Sequence, residues 1–233
     1  MKTLIVKYTP NIRSRTKTLL DAFKHEIGHL EIEFEELDLC SDVPDLISID
    51  ALEAYYARIM YFRSGNFPIP QFQVLSKMER MTAQFKSADV IVVAFPMYNF
   101  SMPATVKAWF DSVMLYGDTF TSKPGGGFIG LLTGKKALTL VAAAGVYRTG
   151  NGISPNFGLT WEHAVSLAKA EFQFMGFSDV RGVLAEGMAR DEEVVEYNLK
   201  EAIEQIRSIT QEWYGAEQFT ERSTLREGLK AAT

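Results

Sequence analysis

Thr9, Ser14 and Thr16 bring three hydroxyls together just after one apolar run and at the start of a helical one, with Arg13 and Arg15 set among them. Hydroxyl donors, cationic side chains and the open amides of a helix amino terminus are the groups that hold a phosphate. The same residues also suit an ordinary cap at Ser14 beside a solvated arginine pair, so this stretch alone leaves both readings open. A second stretch, Pro96, Met97, Tyr98, Asn99, Phe100 and Ser101, follows the clearest strand-like run in the chain. Two rings to cover a planar ligand and an amide to meet its polar edge make the mixture of a cofactor cleft. Folding alone would use Phe100 as core and Tyr98 as surface, which leaves Asn99 without a role. A third stretch, Ala142, Ala143, Ala144, Gly145, Val146, Tyr147, Arg148 and Thr149, opens with residues small enough for close backbone approach. Gly145 permits a turn that aims amides at a ring, although a glycine serves a turn with no ligand at all. The three stretches weigh more together than singly.

Other patterns carry less. Gly125, Gly127 and Gly130 satisfy the spacing of a dinucleotide fingerprint, but they follow a helix and precede a strand, the reverse of what that motif needs. Gly134 and Lys135 fail as a phosphate-binding loop, since Ile129 stands where the first glycine belongs and Lys136 where Ser or Thr belongs. His25, Glu26 and His29 match the spacing of a HExxH zinc motif. Their helix is expected to end over residues 28–30, and surface histidines or a helix-end dipole contact are the simpler account. No GxSxG nucleophile elbow occurs, so covalent hydrolysis is not motivated. The single cysteine, Cys40, rules out an intrachain disulfide and is expected to be a buried or half-buried thiol.

The scaffold follows from periodicity. Residues 2–8 read as a strand, and from Arg15 the residues Leu19, Leu20, Phe23 and Ile27 recur at helical spacing. Residues 30–39 alternate through Ile32 and Phe34 like a strand near a sheet edge, broken at residues 42–44. Helices are predicted over 51–62 and 72–85, separated by a stretch whose Gly65 and prolines oppose helix continuation. Residues 88–95 form a nearly uninterrupted β-branched run, the expected centre of a sheet, whose ladder Pro96 interrupts. Pro103 opens a helix over 104–116. A glycine-rich excursion at 125–134 precedes a strand over 137–144, a helix over 161–175, a strand over 180–184 and a long helix over 192–214. Five strands alternating with helices predict an α/β fold with a parallel sheet covered on both faces by right-handed crossovers. Such sheets bind ligands beyond the carboxyl ends of their strands, where strand order reverses, which selects the three stretches above.

A chain of 233 residues with 47% hydrophobic content suits one large domain, taken as residues 1–212, with residues 213–233 a polar extension or an arm packed on a partner. A net charge of -5 without a long basic run argues against nucleic acid as a partner. The first ten residues lack the apolar core of a secretion signal, and no segment reaches the roughly 18 uncharged apolar residues a membrane span requires, so a cytoplasmic protein with no membrane insertion is expected.

The opening strand with its loop, PMYNFSMPATVKAWFD at 96–111, LLTGKKAL at 131–138 and GFSDVRGVLAEG at 176–187 closely resemble the FMN-dependent NADH azoreductases, a family within the flavodoxin-like NAD(P)H quinone oxidoreductases. The resemblance spans nearly the whole chain, and the MYNF loop is its most specific part. It implies a doubly wound flavodoxin-like sheet of five parallel strands in the order 2-1-3-4-5, with helices on both faces. It implies one FMN per subunit, with phosphate contacts near Thr9, Ser14, Arg15 and Thr16. The ring would meet Pro96, Met97, Tyr98, Asn99, Phe100, Ala142, Ala143, Ala144, Gly145 and Tyr147. It further implies a homodimer with a site at each subunit junction and an alternating reaction. In that reaction NADH or NADPH reduces the FMN and leaves before a quinone or azo compound accepts two electrons. The flavin would carry the electron chemistry, so no catalytic acid, base or metal is assigned.

Two departures bear on this. Many members have a Ser-Arg-Gly-Gly stretch where this chain has Ala142, Ala143, Ala144 and Gly145, so side-chain donors give way to backbone ones. The family's tyrosine near Ser122 is also absent. Phe120 and Ser122 of the excursion, with Phe172 or Phe174, are expected to form an acceptor pocket across the dimer, although a plain hairpin and plain core would use the same residues. The competing functions are a reductase that releases FMN as a substrate, a nonenzymatic flavodoxin-like electron carrier, and a binding-only regulator on the same fold.

Overall fold

The computed structural model describes residues 1–30, 32–65, 71–147 and 161–231, with side chains to residue 215. β1 (Thr3–Lys7) sends Leu4 and Val6 to one core and Ile5 to another, the period-two alternation of a strand covered on both faces. α1 (Arg15–Ile27) buries Thr16, Leu19, Leu20, Phe23 and Ile27, a stripe that its sequence spacing predicts. Ser14 caps it by accepting from the Lys17 amide, and Gly28 ends it. β2 (Phe34–Asp38) lies later than the alternation through Ile32 suggested: Phe34 is exposed and Leu37 packs inward. Cys40 is exposed, contrary to expectation, because the turn after β2 sends Leu39, not Cys40, into the core.

α2 (Ile49–Arg63) follows, and the helix expected from residue 72 divides into a single 3-10 turn at Gln73–Leu75 and α3 (Ser76–Ser87). β3 (Val90–Pro96) sends Ile91, Val93 and Phe95 to the first core and Val90, Val92 and Ala94 to the second. Pro96 keeps register with Ala142, and the Met97 amide takes up the ladder by donating to the Ala142 carbonyl at 3.0 Å, so the proline ends the strand without interrupting it. α4 (Ala104–Val113) starts after Pro103 and stops three residues short of Tyr116. β4 (Phe120–Ser122) and β5 (Phe128–Gly130) form an antiparallel hairpin whose turn holds Gly125, Gly126 and Gly127 at φ of 85°, 100° and 79°. That left-handed turn accounts for Gly125 and Gly127 of the dinucleotide-like spacing, while Gly130 lies in β5. β6 (Lys136–Ala142), α5 (Ala164–Phe174), β7 (Asp179–Ala185) and α6 (Glu192–Ala231) complete the chain. α6 continues unbroken past residue 212, where a domain boundary was expected, and Trp213 and Tyr214 belong to the core, with the Tyr214 hydroxyl 2.8 Å from Thr3 Oγ1.

The five-stranded sheet is parallel throughout, in the order β2-β1-β3-β6-β7. Counting only these strands, that is 2-1-3-4-5. α1 and α6 cover one face, α3, α4 and α5 the other, while α2 packs outside on Leu75, Met78 and Leu115. The chain leaves β1 outward to β2 and then crosses back to β3, so strand order reverses between β1 and β3. A crevice opens there beyond the carboxyl ends. The β4–β5 hairpin stands at the other end of the sheet. It is pressed on the turn before β7 so closely that a Cβ on Gly130 would lie 2.2 Å from the Gly176 nitrogen, and the Leu132 amide donates to the Met175 carbonyl at 2.9 Å. No helix among the described residues is long and apolar enough to cross a membrane.

Candidate functional site

The loop after β1 reaches the crevice through the Tyr8 amide, which donates to the Ala94 carbonyl at 2.8 Å, and Thr9 follows half-buried at the rim. An Asn11 side chain accepting from the Arg13 amide turns the chain into Ser14 and α1. Arg15 and Thr16 are the first helical residues, and their amides have no hydrogen-bond partner among the described residues. Thr16 is 1% exposed, yet its Oγ1 has no partner there either. A buried hydroxyl without a hydrogen bond costs about 1–3 kcal/mol. Two amides and one hydroxyl thus have open valences at a helix amino terminus, beside the exposed Arg13 and Arg15, a set of groups that suits an anion.

The loop after β3 is a two-residue reversal: Tyr98 and Ser101 exchange backbone hydrogen bonds at 2.9 and 3.0 Å around Asn99 and Phe100, at φ of 45° and 73°. Both central residues are left-handed, as in a type I′ turn. Asn tolerates this conformation, but phenylalanine stands where glycine is usual, at a cost of order 1–3 kcal/mol. The surroundings hold it there: the Phe100 ring lies 4.9 Å from Trp161 and 5.8 Å from Tyr147, and the Phe100 carbonyl accepts from the His163 amide at 2.9 Å. Tyr98 meets Tyr8 edge-on at 6.3 Å, tying this loop to the first one. Asn99 is exposed at the tip. Glycine should therefore replace it with stability kept within about 0.5 kcal/mol, while a ligand that uses its amide loses about 1 kcal/mol of affinity. Urea denaturation and flavin titration of Asn99→Gly measure the two separately.

In the loop after β6, Ala142 and Ala143 are buried, Ala144 is exposed and Gly145 is half-buried. Its carbonyls are taken by the stretch after β7: Met188 donates to Ala143, Ala189 to Ala144 and Gly187 to Gly145, at 2.8 to 3.1 Å. The amides of Ala144 and Gly145 have no partner among the described residues. A side chain on Gly145 would meet the Tyr147 ring at 2.9 Å. Glu186, buried after β7, accepts from the Tyr147 amide at 2.7 Å and so anchors this loop from behind. Glu186 was missed in the sequence, where the signal was an acidic residue directly after an apolar strand at a carboxyl end. Arg148 and Thr149 lie outside the described residues.

The residues expected to form an acceptor pocket divide. Phe120, Phe128 and Phe174 pack ring on ring at 4.9 to 5.8 Å, with Phe128 and Phe174 exposed. Phe172 does not join them: it is fully buried against Phe85, Phe110 and Phe177 and belongs to the core. Ser122 Oγ accepts from the Tyr116 hydroxyl at 3.0 Å and from Arg63 at 3.3 Å. Hydrogen bonds with Ser122 and Thr121, assisted by Arg63, bring the Tyr116 phenol down to about 7. This cluster lies at the amino-terminal end of the sheet, whereas the three loops lie at the carboxyl end, a strand length of about 20 Å away. The zinc-like spacing does bring the His25 and His29 rings together, edge-on at 5.2 Å, but among the described residues no third His, Cys, Asp or Glu joins them to hold a metal, and Glu26 is engaged by Arg207 at 3.1 Å.

A five-stranded parallel sheet in the order β2-β1-β3-β6-β7 with a crevice at its switch point is the architecture of a flavodoxin-like protein, and the chain belongs to that family: the family model described as flavodoxin-like fold matches residues 1–209. It stands there among close relatives of known type. It is 35% identical over 188 residues, 78% of this chain and 79% of the relative, to an FMN-dependent NADH:quinone oxidoreductase of Polaromonas naphthalenivorans. It is 33% identical over 199 residues, 84% of this chain and 92% of the relative, to one of Hydrogenovibrio crunogenus. An FMN-dependent NADH-azoreductase of Bacillus anthracis, crystallised with FMN, superposes with a TM-score of 0.73 at 26% identity, covering 90% of this chain and 99% of that one.

Proposed function

We propose that this chain is an FMN-dependent oxidoreductase that passes two electrons from NADH or NADPH to a quinone or an azo compound, working as a homodimer. The observation that carries this reading is Thr16, a buried hydroxyl left open beside two open amides at the switch point of the sheet. An anionic oxygen there answers all three donors, and the phosphate of FMN fits both the position and the charge. Tyr98 and Phe100 bound the ring, Asn99 meets its polar edge, and the open amides of Ala144 and Gly145 take the place of the side-chain donors that Ala142, Ala143 and Ala144 lack. Glu186 keeps those amides in place through Tyr147. Bound FMN supplies the redox chemistry, accepting electrons from the nicotinamide and delivering them to the acceptor. The chain excludes water and stacks the visiting rings. Phe120, Phe128 and Phe174 suit that task, and because they stand at the far end of their own sheet they serve the crevice of a second copy.

Purified protein is denatured and its chromophore identified by mass spectrometry, and the FMN-loaded form is then mixed anaerobically with NADH or NADPH, freed of oxidised nicotinamide, and given a quinone or an azo dye. The expected record is bleaching of the flavin in the first mixing and its return in the second. Failure to bind FMN on reconstitution ends the reading, as does a loaded protein that neither nicotinamide reduces and no acceptor in the panel reoxidises.

A further inference from the structure

The stretch after β7 works as a strap behind the loop after β6. Its amides take three successive loop carbonyls: Met188 donates to Ala143, Ala189 to Ala144 and Gly187 to Gly145. In a planar trans peptide the N–H that follows a carbonyl points the opposite way. The amides of Ala144, Gly145 and Val146 therefore face away from the strap, and none of them has a partner among the described residues. β6 lies between β3 and β7, so that side is the side of the Tyr98–Ser101 turn and the crevice. The next amide, of Tyr147, donates to Glu186 Oε1 at 2.7 Å, and the row of open donors ends there. The strap is itself fixed from outside. Asn198 of α6 donates to the Glu186 carbonyl at 2.8 Å, and Gly187, at φ of 74°, leaves room for it: a Cβ there would lie 3.2 Å from Asn198 Nδ2. Glu186 is 7% exposed. A neutral acceptor would fill the Tyr147 valence at less cost than a buried carboxylate, but a carboxylate grips the amide more strongly. That grip matters where the row must hold its shape before a ligand arrives.

We propose that Glu186 is a positioning residue for the redox step: through the Tyr147 amide it holds the three open amides of the loop in one row, and that row favours reduced over oxidised FMN. The inference rests on the flavin reading above and adds what sets the potential. Donors fixed in advance are worth most where charge develops, and two-electron reduction places negative charge on the oxygen-bearing edge of the ring. Glu186→Ala is expected to lower the midpoint potential of the bound flavin by about 30 mV, the equivalent of a tenfold greater loss of affinity for reduced than for oxidised FMN. Anaerobic redox titration reads the potential, and fluorescence titration the affinity for the oxidised form. Glu186→Gln keeps an acceptor for the Tyr147 amide and should recover most of the shift. Asn198→Ala, which releases the strap from α6, should move the potential the same way by less, and it decides the matter if Glu186→Ala does not fold. A purely structural Glu186 would lower stability in urea and both affinities alike while the potential stayed where it was, and that result overturns the proposal. So does a potential that rises in the alanine and glutamine variants together, which would assign the effect to the carboxylate's charge. If the parent protein binds no FMN, the flavin reading fails by itself. Hydrogen exchange of the flavin-free protein then still decides the positioning role: Glu186→Ala should speed exchange of the Tyr147 amide by about tenfold or more, and an unchanged rate overturns it.

Discussion

Thr16→Val is expected to leave the flavin-free protein as stable as the parent or slightly more so, and to weaken FMN binding by about ten- to hundredfold. Valine has nearly the shape of threonine and the same branching at Cβ, so α1 keeps its packing. What disappears is Oγ1, which is buried and unpartnered among the described residues. Without ligand the change removes a desolvated group and should not cost stability. With ligand it removes a hydrogen bond to a charged oxygen, worth about 1.5–3 kcal/mol. Thr16→Ser should behave in the opposite way: the hydroxyl survives, and the lost methyl leaves a small cavity costing about 1 kcal/mol. Stability must be read by urea denaturation of the flavin-free form, because bound FMN would itself stabilise the fold in proportion to its affinity. Affinity is read by flavin fluorescence titration. A valine variant that binds FMN like the parent would remove this hydroxyl from the cofactor site, and one that loses several kcal/mol of stability would show that the hydroxyl serves the fold.

The parts of this molecule that could be read in advance are those where local pattern and tertiary demand agree. The stripe of α1 and the unbroken apolar run of β3 each have one way to be buried, and both stand where periodicity places them. The loops at the carboxyl ends follow from the alternation of strands and helices, which implies a parallel sheet, while the strand order itself rests on the family resemblance. The misses share a different cause. Phe172 and Phe174 were interchangeable as letters, but two residues apart on a helix they face nearly opposite ways, and α5 sends one to the core and the other to the surface. Cys40 depended on which way a turn faced. The composition after residue 212 is polar, which hid the fact that Trp213 and Tyr214 are core residues at the start of that run and that the helix simply continues. Glu186 acts through a backbone amide in a loop 39 residues away, a contact that no local pattern announces.

Two separately defective chains should restore activity when mixed. In one chain, Thr16→Val combined with Asn99→Ala damages the cofactor crevice. In the other, Phe128→Ala combined with Phe174→Ala removes the exposed rings while leaving the crevice intact. Each homodimer should turn over poorly, the first because it holds little FMN and the second because a bound acceptor has no platform. If crevice and platform of one chain met each other, every mixed dimer would contain one chain lacking each part, and mixing would gain nothing. The geometry argues otherwise, since about 20 Å of strand separates the two parts within a chain. In the homodimer proposed above, a two-fold axis would set the carboxyl end of one sheet against the amino end of the other. Each mixed dimer then has one junction with both parts intact and one with both parts damaged. With random reassortment half of the dimers are mixed, so specific activity should return to about a quarter of the parent's. The measurement is turnover of a quinone after the two chains are partly unfolded together and refolded, against the same treatment of each alone. Activity that stays at the mean of the two homodimers would place the whole site within one chain, and a mass in solution that remains monomeric at full turnover would do the same.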